Sequence, residues 1–241
     1  MLRVTTSVCA VLFDLDDTLF DHDASSRTAL QAVQAAHQGL SAMPFDALER
    51  AHATFLEQLH KDVMLGRLPI DDARRERFRR LYGAAGVEAS AELVHEAAVA
   101  YREAYMAARR AMDGAVALLP LVKARAKVGI VSNNLLEEQQ EKLRQCGLDR
   151  FVDVLVVSED VGISKPDPRI FHIALERLGC PAAEAVMVGD SWSADVAGAR
   201  AAGIRAVWFN RHGAAAPEPG VDEIRALEPV ADVMRTIFDR H

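Results

Sequence analysis

Apolar and polar positions alternate along this chain in two rhythms. From Ser25 to Gly39, Phe45 to Leu65, Asp71 to Tyr82 and Ala91 to Met112, alanines, leucines and charges recur at helical spacing, which predicts four amphipathic helices. Breaks fall at Gly39, at Met43-Pro44, between Gly66 and Pro69, and between Gly83 and Gly86. Ser90 is placed to cap the last of these helices. The second rhythm is one of short, β-branched apolar runs. Val8–Phe13, Val128–Val131, Val154–Val157, Ala185–Val188 and Arg205–Phe209 read as buried strands. Between the later runs the pattern predicts helices over Leu135–Cys146, Pro168–Leu178 and Ala194–Ala202. A loop from Gly213 to Gly220 then leads to a closing helix over Ala226–Arg240. Gly147, Gly179 and Gly203 each stand where a helix C-terminus needs a left-handed residue.

Repeated strand–helix units imply a parallel sheet. The expected fold class is α/β: a Rossmann-like parallel sheet core with helices on both faces, plus an inserted α-helical cap. The expected boundaries are residues 1–20 with 113–241 for the core and 21–112 for the insert, hinged just after Asp23 and at Asp113-Gly114. A length of 241 residues suits that arrangement. Half the residues are hydrophobic, so a packed core is expected rather than disorder. The net charge of -7 argues against a broad nucleic-acid surface, although a local metal or lysine can still favour a small phosphate ligand. Cys9, Cys146 and Cys180 form no CxxC pair, so reduced, buried thiols are expected. The first apolar run is short and leads directly into Asp14 and Asp16, unlike a signal peptide, and no stretch approaches the roughly 20 apolar residues of a membrane span. A cytoplasmic protein without membrane or nucleic-acid partners is expected; the oligomeric state is not legible.

Ligands of open α/β sheets bind at the C-terminal ends of strands. After the first strand come Asp14 and Asp16, which extended backbone places on one side of the chain. After the second come Ser132, Asn133 and Asn134; after the third, Ser158-Glu159-Asp160 and a loop with Lys165-Pro166-Asp167-Pro168; after the fourth, Gly189-Asp190, with Asp195 five residues on. Acids, a hydroxyl, an amide and a lysine are the parts needed to hold a phosphate and a divalent cation. A phosphate dianion repels an approaching carboxylate, so a cation must screen both, and Asp14 and Asp190 suit Mg²⁺, a hard ion that prefers oxygen. A calcium loop counted from Asp14 fails, because Leu19 and Ser25 occupy the positions that need glycine and glutamate.

In these motifs the chain resembles a haloacid dehalogenase superfamily phosphatase with a helical cap. Asp14-Leu15-Asp16-Asp17-Thr18 matches the first motif, Ser132 the second, Lys165 the third, and Gly189-Asp190 with Asp195 the fourth. The stretch around Leu65-Gly66-Arg67 and Arg74 to Phe78 resembles the branch of pyrimidine nucleotidases and sialic-acid phosphate phosphatases. The resemblance implies a Mg²⁺-dependent hydrolysis of a small phosphate monoester. Asp14 would be nucleophile and metal ligand, and Asp16 proton donor and acceptor with its backbone carbonyl on the ion. Asp190 would be a third ligand. Ser132 and the Asn133 N–H would hold phosphoryl oxygens, Lys165 would neutralise charge, and Asp195 would orient Lys165 or a water on the ion.

Other readings accompany these. Asn134 is expected to cap the helix after it. Arg67, Arg74 and Arg77 read as a solvated helix face, and Trp192 and Trp208 as packing residues. A dehalogenase of the same superfamily is disfavoured by the presence of both Asp16 and Asp190. A phosphomutase, or a catalytically silent phospho-binding module, stays open.

Overall fold

The computed structural model describes residues 7–239. Its centre is a six-stranded sheet in the order β3-β2-β1-β4-β5-β6. The strands are β1 (Ala10–Phe13), β2 (Lys127–Ser132), β3 (Val154–Val157), β4 (Ala185–Gly189), β5 (Arg205–Phe209) and β6 (Asp222–Ile224). Every neighbouring pair is parallel. β1 is flanked on both sides, with Leu12 opposite Gly129 of β2 and Met187 of β4, and all four of its residues are buried. The strand order runs outward from β1 in both directions, so the end of β1 is the topological switch point where an open sheet leaves a crevice.

The chain divides into two compact units, residues 1–21 with 110–241 and residues 22–109. The α/β unit carries α6 (Ala115–Lys123), α7 (Leu136–Gln145), α8 (Ser158–Val161), α9 (Pro168–Leu178), α10 (Gly198–Ala201) and α11 (Val230–Phe238) around the sheet. The helical unit consists of α1 (His22–Ala36), α2 (Gln38–Ser41), α3 (Phe45–Met64), α4 (Ile70–Ala84) and α5 (Ala91–Ala108). Among the described residues no helix is long and apolar enough to cross a membrane.

Most expected elements are present, and the caps expected at Ser90, Gly147, Gly179 and Gly203 are observed. Ser90 Oγ accepts the Leu93 N–H at 3.2 Å, and Gly147, Gly179 and Gly203 take φ of 66°, 63° and 76°. The departures have physical causes. α5 stops at Ala108 because the chain then runs extended: Ala111 bridges Phe20, and the Met112 N–H reaches the Leu19 carbonyl at 2.8 Å. α6 lacks helical contrast, being apolar on nearly every face with Pro120 inside. β6 is a three-residue edge strand in what reads as irregular chain. The helix expected from Ala194 begins as a wide turn of π geometry over Trp192–Ala197. The closing helix spans Val230–Phe238, and the expected end at Arg240 lies outside the described residues.

Two side-chain expectations are corrected. Cys9 and Cys180 form a disulfide, with Cα atoms 6.1 Å apart, rather than remaining reduced. Cys9 precedes β1 and Cys180 follows α9, and the Cys9 N–H bonds the Glu184 carbonyl. A pairing made by tertiary packing across 171 residues leaves no trace in spacing. Arg77 is not on a solvated face. It shares the buried stripe of α4 with Ala73, Phe78 and Leu81, and its guanidinium lies 5.0 Å from the Tyr101 ring centroid, beside the buried His52. Arg67 and Arg74 do pair with acids near solvent, Asp62 and Asp71. Trp192 and Trp208 pack edge to face at 5.0 Å, as expected.

Candidate active site

The Asp14 N–H bonds the Val188 carbonyl at 3.0 Å, extending the β1 ladder to the strand's mouth. The chain then folds onto one acceptor: the Leu15 carbonyl takes the N–H groups of Thr18, Leu19 and Phe20 at 3.3, 3.0 and 2.9 Å. Asp17 closes this turn at φ 60°, the positive-φ region that non-glycine residues seldom occupy. The turn returns Thr18 to the strand ends. Its hydroxyl accepts the Asp190 N–H at 3.1 Å, and its single proton faces Asp14 Oδ2 at 3.5 Å and Asp190 Oδ1 at 3.4 Å.

Lys165 reaches the same place from the loop between α8 and α9. The Asn133 side chain clamps its backbone, donating to the Lys165 carbonyl at 2.9 Å and accepting the Lys165 N–H at 2.7 Å. The ammonium then donates to Asp14 Oδ1 at 2.5 Å and to Asp195 Oδ1 at 2.6 Å. Asp195 Oδ2 accepts the Ser191 N–H at 3.0 Å, so both its oxygens are engaged. Gly189 makes room for it, because a methyl group there would overlap the Asp195 carboxylate. The Trp208 indole holds the Asp190 carbonyl at 2.8 Å.

Burial pushes the Asp14 carboxyl well above its ordinary value; Lys165 opposes this, and Asp195 and Asp190 add to it. Burial, then Asp195, pushes Asp190 up to about 6. Burial works against the Lys165 ammonium, but Asp14 and Asp195 outweigh it and hold Lys165 above its usual range. Oxygens of Asp14, Asp190 and Asp195 all lie within 4.8 Å of one another. Lys165 pairs directly with Asp14 and Asp195, while Asp190 feels Lys165 and Arg211 without an ion pair to the lysine; burial and the crowding of three acids leave Asp14 and Asp190 raised. A hard divalent cation fits this donor set. Asp195, committed to Lys165 and Ser191, is the least available of the three to such an ion.

Asp16 faces another set of partners. Its Oδ1 pairs with Lys142 Nζ at 2.5 Å, and its Oδ2 accepts Asn134 Nδ2 at 3.0 Å and Gln139 Nε2 at 2.9 Å. Gln139 Nε2 also donates to Ser132 Oγ at 2.6 Å. Asn134 is therefore not the expected cap. Leu135 occupies that position, and Asn134 Oδ1 reaches only the next N–H, at 2.9 Å. The first N–H of α7, that of Leu136, is met by Glu159 at 2.8 Å, so this strand-end acid serves as a helix cap.

The structure brings Asp14, Asp16, Ser132, Asn133, Lys165, Asp190 and Asp195 to the wall of one cavity of about 170 Å³, with Ser191 and Ala194. Gln139 and Lys142 lie outside the strand-end motifs. The sequence of α7 is polar on every face, and only burial shows that Gln139 and Lys142 share the inward stripe with Leu143. Arg211 also lies outside those motifs; it ties the turn after β1 through Asp17 at 3.0 Å and Asp21 at 3.4 Å.

The parallel sheet thus carries a buried carboxylate–lysine–carboxylate array at its switch point. A family model described as haloacid dehalogenase-like hydrolase matches residues 8–203, and the chain belongs to that family. Over 95% of its length it is 33% identical to glyceraldehyde 3-phosphate phosphatase of Methanopyrus kandleri, covering 97% of that protein. Over 108 residues, 44% of the chain, it is 41% identical to pyrimidine 5'-nucleotidase YjjG of Escherichia coli, spanning 48% of that relative. Among solved structures, the HAD-hydrolase YfnB from Bacillus subtilis bound to magnesium superposes with a TM-score of 0.74 at 28% identity, covering 95% of this chain and 99% of that one.

Proposed function

We propose that this HAD-family phosphatase hydrolyses a small phosphate monoester through an aspartyl-phosphate on Asp14, with Mg²⁺ as its cofactor. The observation that carries the reading is the buried Lys165 bridging Asp14 at 2.5 Å and Asp195 at 2.6 Å, with Asp190 beside them through Thr18. Such an array fixes one carboxylate toward the cavity and neutralises part of the charge that phosphate brings.

Asp14, Asp190 and the backbone carbonyl of Asp16 would hold the ion, which when bound supplies the positive charge that lets a carboxylate approach a phosphate dianion. Asp14 attacks phosphorus, a new P–O bond forms to its carboxylate, and the ester P–O bond breaks. Asp16, protonated as the cycle begins, gives that proton to the departing oxygen and is left as the carboxylate. It then takes a proton from the water that attacks the phosphoryl group, and Asp14 leaves as carboxylate while inorganic phosphate forms. Ser132 Oγ and the Asn133 N–H donate to phosphoryl oxygens. Lys165 stays charged and keeps Asp14 oriented, and Asp195 keeps Lys165 in place. Residues 21–112 would act as a cap that selects the leaving group. The relatives named as a glyceraldehyde 3-phosphate phosphatase and a nucleotidase support a small phosphorylated metabolite as substrate.

The test is a panel of phosphate monoesters assayed with Mg²⁺ and with a chelator, using Asp14→Asn as the blank. Turnover that needs both Mg²⁺ and Asp14 is expected. Failure to hydrolyse any member, or full activity in the chelator, would contradict the reading.

A further inference from the structure

We propose that α7 is a positioning element for the reaction: Lys142, Gln139 and Asn134 fix the Asp16 carboxylate for proton transfer, and Gln139 also sets the direction of the Ser132 hydroxyl. The inference rests on the reading of Asp16 as the acid and base.

Lys142 lies on the inward face of α7 with its side chain only 4% exposed. A helix of this composition has ample outward positions for a lysine, and burying an ammonium is costly unless it is paired. Its ion-pair partner among the described residues is Asp16 at 2.5 Å, and its ammonium lies 5.1 Å from the Phe20 ring centroid. Asp16 itself is at the cavity wall, with a side chain 26% exposed. Three donors on two carboxylate oxygens leave that side chain little rotational freedom.

Gln139 is fully buried. Its Nε2 supplies both hydrogens, one toward Asp16 at 2.9 Å and one toward Ser132 Oγ at 2.6 Å. Its Oε1 is buried without a partner. Turning the amide over would set that oxygen against the Asp16 carboxylate, so the neighbours dictate the orientation and an orphan carbonyl is the cost. A leucine would fill the position with no orphan atom. Ser132 Oγ is an acceptor toward Gln139, so its own proton is left for another partner, and Ser132 lines the cavity where a phosphoryl oxygen would sit. One amide thereby couples the proton-transfer group to the phosphoryl-binding hydroxyl.

The experiment measures single-turnover phosphorylation with Mg²⁺ on two aryl esters, p-nitrophenyl phosphate and phenyl phosphate. Nitrophenolate leaves readily without a proton, whereas phenolate benefits from one. Asp16→Asn sets the benchmark and is expected to slow phenyl phosphate far more than the nitro ester. Lys142→Met is expected to show the same split, about tenfold between the two esters, with substrate affinity nearly retained. Lys142→Arg, which keeps the charge, should recover part of the loss; it also serves if the methionine variant does not fold, a smaller split of the same sign being expected. Gln139→Leu should add a weakening of inorganic phosphate binding of about fivefold or more. A Lys142→Met enzyme that slows both esters equally, or neither, while Asp16→Asn keeps its split, would overturn the proposal and leave α7 as packing. Absence of the split in Asp16→Asn would instead remove the acid–base reading, and the proposal with it.

Discussion

Asp14 and Asp16 are two residues apart and line one cavity, yet their carboxylates answer to different partners. Asp14 is buried among groups from β4 and the loop before α9, where Lys165, Asp190 and Asp195 compete over charge. Asp16 is at the cavity wall and answers to α7, through Lys142, Gln139 and Asn134. The Asp14 side crowds three acids around one buried lysine, which pairs with two of them, and Arg211 acts on the third only at longer range. The Asp16 side supplies a cation of its own. Two carboxylates of the same chemistry thus have different surroundings, and the proposed mechanism gives them different roles: Asp14 attack beside a bound cation, Asp16 the handling of protons.

The largest effect should fall on the Asp14 side. Asp14→Asn should lower kcat by at least ~10⁴-fold with folding retained, measured on p-nitrophenyl phosphate; residual turnover above that level would move the nucleophile elsewhere. Lys165→Met comes next, at about 10²–10³-fold in kcat/KM. It should also destabilise the protein, because Asp14 and Asp195 are both buried and would lose their shared partner. Asp195→Asn should cost roughly 10–100-fold, since it loosens Lys165 without removing it; an effect as large as that of Lys165→Met would mean that Asp195 does more than hold the lysine.

The smallest effect concerns stability and pH. Asp190 is pushed up to about 6, and Asp14 is raised too, so the folded protein binds more protons than the unfolded chain between about pH 4 and about pH 6. Stability from these groups is present at the acid end and is lost as pH rises through that window. In a chelator the melting temperature should therefore fall from pH 4 to pH 6 relative to an Asp190→Asn control. Mg²⁺, which favours the ionised acids, should flatten that decline. A melting temperature that climbs through the window in chelator, relative to the same control, would contradict the crowding of acids assigned to the Asp14 side.

The two sides also differ in how far the sequence reveals them. Asp14, Ser132, Lys165 and Asp190 each follow a β-branched apolar run, or lie in the loop beyond one, so strand periodicity and the switch-point rule bring them together on paper. Lys142 and Gln139 sit in Leu-Glu-Glu-Gln-Gln-Glu-Lys-Leu-Arg-Gln, where polar residues occupy every face and the helical phase is not marked. Only packing shows that Lys142 turns inward. The same limit explains Arg77, whose burial depends on partners from other helices, and Cys9–Cys180, whose approach depends on how α9 returns to the sheet. α6 and β6 leave little mark in the sequence, because one lacks polar contrast and the other is three residues long.

The central claim is that phosphate passes through Asp14. The most direct measurement is rapid quenching during turnover with Mg²⁺, borohydride reduction of any acyl-phosphate, and peptide mass spectrometry. The account requires Asp14 to appear as homoserine, with Asp16, Asp190 and Asp195 unchanged. Modification at another aspartate, or unmodified Asp14 in an enzyme quenched at full turnover whose acyl-phosphate is shown to survive the quench, would contradict it.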